Sequence, residues 1–148
     1  MAEKLNALIL NESTGRITLP VGGTGFFTIE LTPPTGVTLD TATDKAVFGI
    51  GSIAEKPASN VFHYESIFRK TYPISENGDT YTVLVELTNA ETRAFMPGEY
   101  VWDITVITGA DIVNGQAVAN DAGDNVYPVY ATEGNPPKFI VKGAVPIV

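Results

Sequence analysis

The only histidine of the chain, His63, is the first place where acid–base chemistry would be expected. Ser59, Glu65 and Ser66 lie near it, and a serine, an imidazole and a carboxylate are the groups that serine hydrolases combine. Such a site also needs donors for the oxyanion, and the chain has no Gly-x-Ser-x-Gly turn. We therefore interpret His63 as a surface residue that is either exposed or hydrogen-bonded.

Paired carboxylates are the second possibility, because glycosidases place two of them across a sugar-binding groove. With 17 acidic residues, some pair will be suitably spaced by chance. Asp103 is the most interesting because it follows Trp102, and aromatic rings stack on sugars. Trp102, however, alternates with Tyr100 and Ile104 on an apolar face, which predicts a core position for Trp102 and a solvent or edge position for Asp103. We predict no catalytic residue and no enzymatic activity.

Metal and phosphate sites have equally little support. Asp121 and Asp124 are the candidates for calcium, because segment 120–125 is rich in side-chain oxygens, but the EF-hand order is missing and a turn explains the same residues. Gly22 to Gly25 lack the Gly-Lys-Ser/Thr of a phosphate loop and precede a strand. The chain has no cysteine, which excludes disulfides and cysteine-based zinc sites. We predict no metal site and no cofactor.

The net charge of the chain argues against two classes of partner, nucleic acids and anionic membranes. The formal net charge is −8, and of the nine basic residues only Arg69 and Lys70 are adjacent. So acidic a chain repels phosphate backbones and anionic membranes, and we expect it to bind neither nucleic acid nor membrane. The first apolar stretch is short and bracketed by Glu3 and Glu12, which predicts no signal peptide.

Alternation of apolar and polar residues with period 2 predicts the elements that position these side chains. The clearest strands are predicted at 27–32, 46–51, 81–88 and 100–107, and weaker ones at 16–19, 67–72, 126–130 and 139–142. Turn formers such as Asn-Gly and Pro-Gly separate them, and no helical period is sustained. We predict one all-β sandwich domain over residues 1–148, with about eight strands and one short helical turn. The predicted core residues are Phe27, Ile29, Phe48, Val83, Val85, Tyr100 and Trp102.

Segment 109–125 allows two structures. It is either a long loop or a hairpin with its tip at Asn114-Gly115. Long loops in compact domains are often functional, but a variable surface excursion explains the same composition.

One connection between strands has a recognisable design. Thr88 and Glu91 form a capping box that opens a helical turn through Phe95, and Pro97-Gly98 then predicts a turn into the next strand. Immunoglobulin-like sandwiches build such a corner between strands E and F, where a tyrosine anchors the start of strand F. Tyr100 would be that tyrosine, and Trp102 follows on the same face. We therefore expect the all-β sandwich to be immunoglobulin-like.

The pattern Leu-Thr, Glu-Thr and Pro-Gly-x-Tyr-x-Trp-Asp-Ile in 87–104 resembles the immunoglobulin-like N-terminal domains of phage baseplate upper proteins and related prophage structural proteins. The resemblance extends over 25–106, with a similar closing strand at 139–142. It implies a non-enzymatic virion component of a baseplate, tail or head accessory, assembled in the bacterial cytoplasm. The implied partners are copies of the chain, as a homo-oligomer, or other virion proteins.

A different class of function stays open from the residues themselves. A free-standing cell-surface or carbohydrate-binding module would need exposed aromatic residues on one face. The candidates for such a face are Phe62, Tyr64, Tyr127 and Tyr130.

Overall fold

A computed structural model describes residues 6–33, 36, 38–54, 63–78, 80–118, 126–128 and 137–143. The elements in these residues are β1 (Ile9–Leu10), β2 (Ile17–Pro20), β3 (Gly25–Leu31), β4 (Lys45–Ala54), β5 (His63–Pro73), β6 (Ser75–Asn77), β7 (Thr80–Leu87), α1 (Asn89–Thr92), β8 (Gly98–Ile107), β9 (Asp111–Val113), β10 (Gln116–Val118), β11 (Val126–Pro128) and β12 (Lys138–Lys142).

The strands form two packed sheets and a separate hairpin. The large sheet has the order β1-β2-β12-β8-β4-β5, and β11 pairs with β8 beyond the end of β12. The small sheet has the order β3-β7-β6, and β9 and β10 form the hairpin. Neighbouring strands are antiparallel except β2 and β12, which are parallel. The predicted all-β sandwich is therefore confirmed.

The core lies between the inner faces of the two sheets, as the period-2 alternation requires. In β3, Phe27, Ile29 and Leu31 are buried, whereas Thr28 and Glu30 are exposed. Phe27 crosses from the small sheet onto two rings of the large sheet. Its ring centroid lies 5.9 Å from that of Phe48 and 5.7 Å from that of Trp102, with edge-to-face geometry.

Each of the eight predicted strands has a counterpart, with boundaries shifted by a few residues. The prediction omitted β1 and β6, which have only two or three residues each. α1 ends at Thr92, earlier than expected, although a backbone hydrogen bond from Phe95 to Thr92 continues the turn. Among the predicted core residues, Tyr100 is only partly buried, because its hydroxyl end reaches the surface of the corner.

Segment 109–118 forms the hairpin alternative. Asn114 and Gly115 have φ values of +52° and +77°, the left-handed conformation that a two-residue type I′ turn needs at both positions. No helix of the described residues is long and apolar enough to cross a membrane.

Candidate interaction surfaces

The corner between β7 and β8 is held by short local hydrogen bonds. The Thr88 side chain accepts from the Glu91 amide at 3.2 Å, and the Glu91 carboxylate accepts from the Thr88 amide at 2.8 Å. Past Pro97 and Gly98, the Tyr100 hydroxyl donates back to the Met96 carbonyl at 2.7 Å. The corner thus fixes the passage of the chain from the small sheet to the large one.

The glycine cluster before β3 packs on this corner. The carbonyls of Gly22 and Gly23 accept hydrogen bonds from the side chains of Asn89 and Thr92. Thr92 is buried by this contact. An anion-binding nest is built from backbone N–H groups, whereas here the backbone carbonyls contact the corner. The glycine turn therefore has a structural role in holding the corner.

Two side chains of β5, Lys70 and Tyr72, connect this strand to the same corner. The Lys70 ammonium lies 3.1 Å from the Glu91 carboxylate and 5.4 Å from the centre of the Tyr72 ring. The Tyr72 hydroxyl donates to the Glu86 carbonyl. Burial, followed by the negative charge of Glu91, raises the pKa of Tyr72, so this phenol stays protonated and acts as a structural donor.

Trp102 is unavailable for stacking on a sugar. Its side chain is only 1% exposed, and its indole N–H donates to the Gly15 carbonyl at 2.8 Å. Trp102 is thus a core residue, and the pairing that made Asp103 attractive for glycoside chemistry is absent.

Asp103 lies on the outer face of the large sheet, beside Gly49 of the neighbouring strand. A Cβ at position 49 would lie 2.9 Å from the Asp103 carboxylate, which explains the glycine there. Burial raises the pKa of Asp103, and the positive charge of Arg69 opposes that shift. The ionised carboxylate is therefore held in a position that disfavours its charge.

Asp103→Asn should stabilise the protein near neutral pH. Folding raises the pKa of Asp103, so the folded protein holds the carboxyl proton more tightly than the unfolded chain does. Asp103 therefore adds to the free energy of unfolding below its unfolded pKa of about 3.9. That stabilisation is lost as the pH rises through the folded pKa. The melting temperature of the variant should exceed that of the wild type near pH 7, and the difference should vanish well below the unfolded pKa. Glu99→Gln, on an exposed position of the same strand, is the control, and an equal gain there would contradict the assignment.

The β9–β10 hairpin lies over the outer face of β5. The Arg69 guanidinium donates to the Ala117 carbonyl, and the Thr71 hydroxyl accepts from the Ala117 amide at 2.9 Å. Gln116 donates to the Arg69 carbonyl at 3.2 Å, and the Ala117 side chain is buried in a small cluster with Val47 and Ile107. These contacts fix the base of the hairpin on the sheet.

The outer part of the hairpin carries two solvent-exposed apolar side chains. Ile112 is 54% exposed and Val113 is 53% exposed. Ile112 is paired with Ala117 and Val113 with Gln116, so the two side chains point to opposite faces of the hairpin. Both are held rigidly, because the tight turn restricts the backbone and β-branching restricts the rotamers. This pair is the candidate interaction surface of the hairpin.

Some of the predicted site residues lie on strands, and others lie outside the described residues. His63, Tyr64, Glu65 and Ser66 lie on β5, and Tyr127 lies on β11. Ser59, Phe62, Tyr130 and the calcium candidates Asp121 and Asp124 lie outside the described residues. Within the part of the chain that is described, no group of three or more acidic or histidine residues is placed to hold a metal ion.

Comparisons with protein-family models, with curated proteins and with solved structures found no match to this chain.

Proposed function

We propose that this protein is a non-enzymatic structural component of a phage or prophage virion, and that it acts through protein–protein assembly. The observation that carries the proposal is the anchored hairpin, which presents Ile112 and Val113 to solvent. Apolar side chains on a preorganised element are typical of interfaces, because little conformational entropy is lost when they are buried.

The strand order supports an immunoglobulin-like assignment within the sandwich class. The small sheet, β3-β7-β6, corresponds to strands B, E and D, and β4, β8 and β12 correspond to C, F and G. Tyr100 makes the backward hydrogen bond of a tyrosine corner. Phe27 and Trp102 meet across the sheets where antibody domains have their B–F disulfide.

The proposal predicts that the protein self-associates or docks to another virion protein through this hairpin. Light scattering on a size-exclusion column, over about a hundredfold range of concentration, should give a closed oligomer larger than the monomer. Ile112→Thr combined with Val113→Thr keeps the β-branched backbone preference and removes apolar area. This double variant should raise the dissociation constant by at least about tenfold.

Ile9→Thr is the matched control, since Ile9 is an exposed isoleucine on β1, which lies at the opposite edge of the large sheet. It should leave the dissociation constant unchanged. A strict monomer at every concentration, together with no binding to any protein of the same virion, would count against the assembly role.

A further inference from the structure

The outer edge of β3 is an unfinished side of the small sheet. Among the described strands, β3 pairs with β7 on one side and with no strand on the other. On its other side, the Asn6 side chain accepts from the Phe26 amide at 3.0 Å and donates to the Phe26 carbonyl at 2.9 Å. Because backbone groups alternate in direction along an antiparallel strand, Thr28 and Glu30 also direct their N–H and C=O groups away from β7.

Within the described part of the chain, no hydrogen bond reaches the outward backbone groups of Thr28 or Glu30, and both side chains are exposed. At Phe26, the side-chain amide of Asn6 takes the place of a neighbouring strand, because it supplies one donor and one acceptor to the Phe26 backbone. We call the open stretch from Thr28 to Glu30 the β3 edge.

The charges around this edge select its partner. The strands of the small sheet contain Glu30, Glu76 and Glu86 and no lysine or arginine. The strands of the large sheet carry the basic residues Lys45, Arg69, Lys70, Lys138 and Lys142. A strand that adds to the β3 edge therefore meets a locally negative surface, and a cationic side chain opposite Glu30 is favoured.

A second copy of β3 is a poor occupant for the same reason. Antiparallel pairing of two β3 edges that leaves Asn6 in place sets the two Glu30 side chains directly opposite or diagonally across, within about 5–8 Å. Like charges at that separation destabilise the pair, and the net charge of −8 on each chain adds to the repulsion.

We propose that the β3 edge binds an extended segment of a different polypeptide by strand addition, with a lysine or arginine of that segment opposite Glu30. This inference rests on the assembly role proposed above and names the chemistry of one partner. The backbone groups of Thr28 and Glu30 supply the hydrogen bonds, and the Glu30 carboxylate supplies the selection by charge.

The test uses two capped heptapeptides of alternating threonine and valine, one with lysine and one with glutamate at the centre. Binding to the full chain is measured by fluorescence anisotropy, and hydrogen exchange of the Thr28 and Glu30 amides locates it. Thr28→Pro removes an outward N–H that no bond of the fold uses, which edge strands tolerate. Glu30→Lys reverses the charge, and Glu76→Lys, on an exposed residue of β6, is the matched control.

The lysine peptide should bind at least about tenfold more tightly than the glutamate peptide and should protect both amides. Thr28→Pro should weaken it by a similar factor, Glu30→Lys should invert the preference between the peptides, and Glu76→Lys should leave it unchanged. Equal binding of the two peptides, or an equal loss in Glu76→Lys, would overturn the proposal.

Light scattering separates this inference from the assembly role. If the wild type self-associates and Thr28→Pro abolishes that association, the occupant is another copy, and the inference is wrong while the assembly role stands. If self-association persists in Thr28→Pro while peptide binding is lost, the edge serves a different polypeptide, as proposed.

Discussion

Trp102→Ala is expected to lower the free energy of unfolding by about 3–5 kcal/mol. Trp102 is the largest fully buried side chain, and its ring packs against Phe27 of the opposite sheet and Phe48 of the neighbouring strand. Its indole N–H also satisfies the Gly15 carbonyl. The substitution leaves a cavity between the sheets and an unpaired carbonyl, and these two costs add.

The loss is measured by urea denaturation followed by far-ultraviolet circular dichroism, because the variant lacks the only tryptophan of the chain. Trp102→Phe is the informative partner, since it keeps an aromatic ring and removes the hydrogen bond. Trp102→Phe should lose clearly less free energy of unfolding than the alanine variant. Small domains have about 5–15 kcal/mol of stability, and the smaller loss should leave enough of it for the variant to stay folded. Equal losses in the two variants would show that the hydrogen bond to Gly15, rather than inter-sheet packing, dominates.

The fold was predictable from the sequence wherever its determinants are local. The alternation that buries Phe27 and exposes Thr28 is visible in a few residues, and so is the capping box of Thr88 and Glu91. Asn114-Gly115 marked a possible hairpin, because few residue pairs other than Asn-Gly favour two successive positive φ angles.

The interaction surfaces were less predictable because they depend on contacts between distant segments. Nothing near Arg69 in sequence indicates that it binds the Ala117 carbonyl, 48 residues away. Asn6 likewise meets Phe26 only after the chain has turned through β1 and β2, and without that contact the direction of the β3 edge groups could not be assigned. Short strands such as β6 lack enough residues to show a period, so pairing with β7 defines them instead.

The charge pattern illustrates the same limit. Net charge and the scatter of basic residues are properties of the whole sequence, and they do not indicate on which face or sheet the charges lie. The separation of a small sheet without basic residues from a large sheet with five appears only after each strand is assigned to its sheet. That separation makes the β3 edge selective, although no motif marks it.

Asp44→Ala is expected to destabilise the fold by about 2–3 kcal/mol, because three donors lose a charged acceptor. Asp44 is 4% exposed, and its carboxylate accepts from the amides of Asp40 at 2.6 Å and Gly109 at 2.8 Å, and from the Thr43 hydroxyl at 3.2 Å. These bonds join the loop before β4 to the loop that leads into β9.

The position of Asp44 adds a second consequence, because the loop it holds forms the base of the hairpin. The Thr43 carbonyl accepts from the Ala110 amide at 3.1 Å, one residue before β9 begins. Loss of Asp44 should therefore increase hydrogen exchange at the β9–β10 amides more than in the small sheet, and should weaken any association through Ile112 and Val113. Asp44→Asn keeps the size and one acceptor oxygen, so its loss of stability should be smaller. Uniform exchange changes across both sheets would mean that Asp44 supports the whole fold rather than the seat of the hairpin.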